Sequence, residues 1–308
     1  MKVARPSVHG DKLNALLQNG KLPNTEVSRV NRAREHYEEW RAGLETSELV
    51  GADLLAEMVT NLNAYKRHVE LDLIFNSPAD FLYRQKGQLK LDNTVLEEFL
   101  PFLFDLRLVP GLARLNNAHC GPHSSYAGIS FGSPYVALNK GGVVPKKKDQ
   151  DFSVARMHTI IVTDGKPDDK DAFKQQFAVS HFATEIKTNL DKTMFQEASQ
   201  TSSELKQAVP GSRYILLCEY LDMRPITTKL TSIDEVIVLR KAKRLGSGIR
   251  EAFGAAEGRK NARDVYTAFL DKNPIRIECV ERFLWHLNDA FPAAADDGED
   301  VVLGRGYF

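Results

Sequence analysis

Two nearly unbroken apolar runs, RYILLCEYL at 213–221 and IDEVIVL at 233–239, constrain this chain most. Short runs of that kind form strands covered on both faces, so layers of other structure must lie on either side of the sheet that contains them. Ahead of them, DFSVARMHTIIV is rich in β-branched residues and reads as a strand. TDGKPDDKD is a charged turn cluster and FAVSHFATEIKTN a second strand. DKTMFQEASQTSSELKQA then places Met194, Ala198, Ser202, Leu205 and Ala208 on one helical face and closes at Pro210–Gly211. From Asp149 the order is therefore βββαββ or close to it.

The front third reads differently. From Thr25 to about Leu106 the apolar residues recur at threes and fours: Val27, Val30, Tyr37, Trp40 and Leu44, then Leu54, Leu55, Met58, Val59, Leu62 and Tyr65 after a cap at Ser47. DNTVLEEFLPFLFDL predicts a third helix, capped near Asp92 and bent at Pro101. Between Pro110 and Pro145 the texture turns to Gly, Pro, Ser and Asn with short apolar runs, which predicts loops and one or two strands. Helices are expected again around 260–271 and 275–290, followed by a surface connection at AAADDGED. These shifts divide the chain into a helical N-terminal region that packs on the core (1–109), a sheet-bearing core (110–250) and C-terminal helices (251–308).

With 308 residues the chain can bury a large core, and its 41 basic residues equal its 41 acidic ones. Any contact with a polyanion must then come from local patches, not from a global field. Three widely spaced cysteines, Cys120, Cys218 and Cys279, make no disulfide framework and suit a reducing cytoplasm. No stretch approaches the ~20 apolar residues that a membrane span needs, so a cytoplasmic protein without membrane contact is expected.

The chemistry concentrates at EIKTN. Glu185 and Lys187 are two apart on a strand and share one face. If the two strands pair around a turn near residue 169, facing residues sum to about 338; Asp151 then lies opposite Lys187, with Glu185 one step inside. Two carboxylates beside a lysine suit Mg²⁺, a hard ion that takes oxygen ligands and keeps several waters. Asp151 and Glu185 would hold the ion, while Lys187 orients a water and steadies the charge that builds on a scissile phosphate. Asp149 shares the face at the strand's frayed start, and Asp164, Asp168, Asp169 and Asp171 belong to the turn.

The order Asp, hairpin, Glu-x-Lys, helix, buried strand resembles the PD-(D/E)XK nuclease core. More narrowly, KDQDF at 148–152, EIKTNLDKTMFQEA at 185–198, LKQAVPGSRYILLCEYLDM at 205–223 and LTSIDEVIVLRKAKR at 230–244 are similar to the BbvCI-type restriction endonucleases, which cut asymmetric sites such as CCTNAGC. The likeness runs from about Asn63 to Arg244 and lays the family's catalytic triplet on Asp151, Glu185 and Lys187. It departs at the first acid, where Gln150 replaces the motif's proline, a residue with no chemical part to play. The resemblance implies an α/β fold: a restriction-endonuclease-like mixed sheet flanked by helices, with an all-helical N-terminal region. It also implies a Type II enzyme that cuts double-stranded DNA with Mg²⁺, leaves 5′-phosphate and 3′-hydroxyl ends, and works as a homodimer or as a heterodimer with a related subunit.

Other residues are candidates for supporting parts. Lys146, Lys147 and Lys148 precede Asp151, and Lys192 opens the following helix; these are the expected DNA-phosphate contacts. Arg240, Lys241, Lys243 and Arg244 form a second basic run after the last strand. Glu97 flanks the apolar stripe of its helix and could lean toward the site as a third acid, whereas Glu98 points away. Glu197 could meet the metal or a lysine from one turn into the next helix. His119, Cys120 and His123 lie close together but lack partners at zinc-site spacing, and neither a phosphate-cradling loop nor a Gly-x-Ser-x-Gly elbow is present. The rival readings are a structure-specific repair or junction nuclease on the same core, and a DNA-binding subunit of a heterodimeric endonuclease.

Overall fold

The computed structural model describes residues 2–133, 143–163, 172–293 and 299–306. A two-residue strand β1 (Lys2–Val3) leads into α1 (Val8–Leu17), α2 (Asn24–Thr46) and α3 (Gly51–Arg67). A π-helical stretch, His68–Phe75, continues α3 and is followed by α4 (Phe81–Leu89) and α5 (Thr94–Leu103). The expected helices α2, α3 and α5 are thus present. The π-helical turn and α1 lie outside what the apolar spacing shows. Ser47 caps the end of α2, not the start of α3, and its hydroxyl donates to Glu57. Pro101 stands in the last turn of α5, which ends two residues beyond it.

A six-stranded sheet follows in the order β1-β2-β3-β4-β5-β6, with β2 at Ala118–Phe131, β3 at Val143–Val162 and β4 at Phe173–Leu190. Strand β3 runs antiparallel to both of its neighbours, β2 and β4. Helix α6 (Lys192–Ala208) then crosses over to β5 (Arg213–Leu221), and a longer connection leads to β6 (Glu235–Lys243); β4, β5 and β6 are parallel. The chain ends in α7 (Ser247–Glu251), α8 (Ala256–Asn261), α9 (Arg263–Lys272), α10 (Ile277–Ala290) and α11 (Glu299–Arg305). The turn acids Asp164, Asp168, Asp169 and Asp171, and the run PYVAL, lie outside the described residues.

The two faces of β5 explain its apolar sequence. Ile215 and Leu217 join one buried cluster with Leu62, Leu96, Leu100 and Phe283 from α3, α5 and α10. Tyr214, Leu216 and Cys218 face the other way, under Phe195, Ala198 and Leu205 of α6. All three cysteines are buried free thiols. Among the described residues no helix is long and apolar enough to cross a membrane.

Helices and sheet are also tied by a buried ion quartet. Lys66 Nζ on α3 meets Glu219 Oε1 of β5 at 2.7 Å and Glu70 Oε1 at 3.2 Å. Arg240 of β6 donates from Nε to Glu219 Oε2 at 2.9 Å and from Nη2 to Glu70 Oε1 at 2.9 Å. Arg240, expected in the second basic run, is therefore a core residue. Of its neighbours in that run, Lys241 pairs with Glu278 and Arg244 with Asp222.

Candidate active site

The β3–β4 ladder pairs Phe152 with Thr184, Ser153 with Ala183 and Val154 with Phe182, so facing residues sum to 336, not 338. Beyond an irregularity at Val154/Ala155 the sum becomes 335. At the site the expected hairpin register is thus two residues out: the ladder nearest the turn already sums to three less than expected, and the one-residue irregularity recovers one of the three. The error is even, so the face is unchanged. Extending the ladder by one residue brings Asp151 level with Glu185, and Asp151 Oδ2 accepts the Ile186 amide hydrogen at 2.7 Å.

Around this point the acids crowd. Burial pushes the Asp151 carboxyl up to about 6; the Ile186 amide works against that shift, and the negative charges of Glu97 and Glu185 add to it. Lys187 Nζ lies 2.6 Å from Glu185 Oε1. Burial disfavours its charge, yet the hydrogen bond and charge of Glu185, with Asp151 and Glu197 behind, hold its pKa above the ordinary value. The other Glu185 oxygen accepts from the Tyr214 hydroxyl at 2.5 Å. Tyr214, on the neighbouring strand β5, is a site residue that sequence reasoning missed. Parallel pairing of Ala183 with Tyr214 brings it there, and that register is not written in either strand alone.

Glu97 reaches the site from α5. It is 8 % exposed, accepts from Asn93 Nδ2 at 2.7 Å, and lies near enough to raise the Asp151 pKa. Glu98 does point away: it is fully buried and takes hydrogen bonds from the Tyr37 hydroxyl, Arg41 and the His9 amide. Glu197 is exposed on α6 and acts on Lys187 only through its charge.

The proposed phosphate contacts have varied surroundings. Lys146 and Lys148 both pair with Glu204 of α6, at 2.9 Å and 3.1 Å. Hydrogen bonds from Gln200, Lys146 and Lys148 hold the Glu204 carboxyl down at about 2. Lys147 is half-buried, and Lys192 is exposed at the first position of α6, behind the N-cap Asp191. His123 Nδ1 contacts Ser153 Oγ at 2.9 Å, and Cys120 is buried, its thiol pushed up to about 12.

Among the described residues no three His, Cys, Asp or Glu side chains stand ready to enclose a metal ion. The donors at hand are two carboxylates, Asp151 and Glu185, with Glu97 beside them. An all-oxygen pair of this kind, partly open to solvent, fits a hard divalent cation that retains waters and takes further oxygens from a substrate. The raised Asp151 carboxyl fits it too, since a cation would offset the burial, and the neighbouring negative charges, that raise it.

The sequence profile of the Bpu10I restriction endonuclease family matches residues 88–308, well over half of the chain, including Asp151, Glu185 and Lys187. The chain belongs to that family. It is therefore a nuclease of the restriction endonuclease class, as the likeness to BbvCI-type enzymes leads one to expect. Among solved structures the chain is similar to one titled "native BbvCI A2B2 tetramer at low resolution", at 20 % identity and a TM-score of 0.56, covering 86 % of this chain and 97 % of that one. That likeness carries the fold: a mixed sheet flanked by helices with a helical N-terminal region. No curated protein matches.

Proposed function

We propose that this chain is a Type II restriction endonuclease subunit that hydrolyses double-stranded DNA at a specific sequence with Mg²⁺, leaving 5′-phosphate and 3′-hydroxyl ends. The observation that carries the reading is the meeting of Asp151 with the Glu185–Lys187 pair where the hairpin joins the parallel half of the sheet. Membership of the restriction endonuclease family favours cleavage at a sequence over cleavage of branched structures.

Asp151 and Glu185 would hold the ion. When bound, it supplies positive charge to the scissile phosphate and acidifies a water. The Ile186 amide fixes Asp151 through Oδ2, and Tyr214 fixes Glu185 through Oε2. Glu185 Oε1 faces Lys187, so the carboxylate that would hold the cation is also tied to the lysine. Lys187 keeps its proton in this setting, so it serves as a donor: it orients the attacking water and then stabilises the extra negative charge on the five-coordinate phosphorus. Attack on phosphorus breaks the bond to the 3′-oxygen. The phosphate stays on the 5′ side, the proton lost by the attacking water goes to solvent, and a proton from solvent completes the 3′-hydroxyl.

One such site cuts one strand. Double-strand cleavage then needs a second subunit, either another copy or a related chain, and BbvCI is described as an A2B2 tetramer. The test is to incubate the purified chain with supercoiled plasmid and Mg²⁺, beside Lys187→Ala. Discrete linear products lost in the variant support a self-sufficient enzyme, and site-specific nicks support half of a heterodimer. Cuts confined to branched DNA would replace the reading with a structure-specific nuclease.

A further inference from the structure

A second cationic feature shares no residue with the active site. A cavity of about 810 Å³ opens between the first turns of α2, the π-helical stretch and the α8–α9 corner of the C-terminal region. Arg29, Arg32, Lys260 and Arg263 line it, against Asp72 and Glu257. Arg29 is committed: its Nε lies 3.2 Å from Glu26, and Nη1 donates to the Asp72 carbonyl. Arg32, Lys260 and Arg263 are exposed, and their side chains make no hydrogen bond or ion pair among the described residues.

Three further observations show that the cations are gathered, not scattered. The residue before Lys260, Arg259, is 1 % exposed. It donates to the carbonyls of Phe75, Ser77, Ala79 and Phe253 at 2.8–3.0 Å, which anchors α8 to the end of the π-helical turn. His36 and His68 lie on the cavity wall with ring centroids 4.2 Å apart. Burial, then His36, lowers the His68 pKa, with Arg32 adding to the effect and Asp72 opposing it, so Arg32 is close enough to act on this wall. Finally, α2 directs its N-terminal end, with Thr25 and Ser28, into the cavity.

We propose that this cavity binds phosphates of the DNA duplex outside the cut site, with Arg32, Lys260 and Arg263 as the contacts. It gives the C-terminal helices a part in DNA binding besides packing. The inference rests on the nuclease reading for its ligand, but the binding itself is measurable without cleavage.

The test uses the full chain in Ca²⁺ with two fluorescent duplexes, one just spanning the cut site and one extended by about two helical turns on each side. Each phosphate contact adds ~0.9 to the slope of log K against log salt concentration. Arg32→Ala/Lys260→Ala/Arg263→Ala should therefore flatten the slope by about 2–3 on the long duplex and weaken binding at least tenfold at low salt. It should leave the short duplex and the cleavage rate at saturating DNA unchanged. A control with Lys21, Arg224 and Lys229 changed to Ala removes equal charge elsewhere.

Unchanged slopes, equal loss in the control, or equal loss on both duplexes would each overturn the proposal. Calorimetric uptake of inorganic pyrophosphate by the wild type, with an unchanged DNA slope in the triple variant, would assign the cavity to a free anion and overturn it as well. If the wild type bound neither duplex, the nuclease reading itself would fail, a result distinct from all of these.

Discussion

In the buried quartet, Lys66 and Arg240 face Glu70 and Glu219, two charges of each sign; around Asp151, two lysines, Lys187 and the more distant Lys90, face three carboxylates. The quartet is closed on all sides, and each carboxylate is shared between both cations. The Asp151 cluster is partly open and short of positive charge, and its least compensated member titrates near neutrality. Balanced buried charge specifies how the helices seat on the sheet. Unbalanced charge at an opening stores an affinity for a cation.

The comparison breaks first at Glu219. Replacing it by Gln leaves two buried cations on Glu70 alone, and the unfolding free energy measured in urea should fall by about 3–5 kcal/mol. The protein that remains folded should cut DNA at a near-normal rate. A loss below ~1 kcal/mol would mean that the quartet is no balanced unit.

Lys187→Ala reverses that pattern. The cleavage rate should drop by about 10²–10³-fold, while stability stays within ~1 kcal/mol because the pair is partly exposed. Retained cleavage would remove Lys187 from the chemistry.

Asp151→Asn sharpens the contrast through pH. The carboxyl titrates at about 6 in the folded chain against 3.8 for the free side chain, so between those values the native state holds more protons than the unfolded one. The wild type should therefore lose stability as pH rises from about 4 to 6, by up to ~3 kcal/mol at ~1.4 kcal/mol per pKa unit. The Asn variant should lack that decline and be the more stable protein at pH 7, although inactive. If the wild type instead gained stability relative to the variant over this range, Asp151 would be a well-paired carboxylate and the contrast would collapse.

The smallest effect concerns Glu204, which pairs with Lys146 and Lys148 at the surface. Glu204→Gln should change stability by less than ~1 kcal/mol. It should steepen the salt dependence of DNA binding if the freed lysines reach phosphates; an unaltered slope would exclude them as contacts.

Much of this was legible beforehand because it is periodic. Alternation put Glu185 and Lys187 on one strand face, and threes and fours marked α2, α3, α5 and the last long helices. An even register error left Asp151 on the correct face, though level with Glu185 and not with Lys187. The π-helical stretch escaped because its apolar residues fit an α-helix as well, and α1 because it is short and weakly patterned.

The sequence by itself determined which strands are covered on both faces, where the helical region gives way to the sheet, and which acid–lysine pair shares a face, since these depend on neighbours in the chain. Only the tertiary structure decided that Tyr214 holds Glu185, that Glu97 lies near Asp151, that Arg240 belongs to the core, and that Arg32 and Arg263, far apart in sequence, line one cavity. Those outcomes depend on how separate elements pack and pair, and the spacing of residues along a single element carries no record of that.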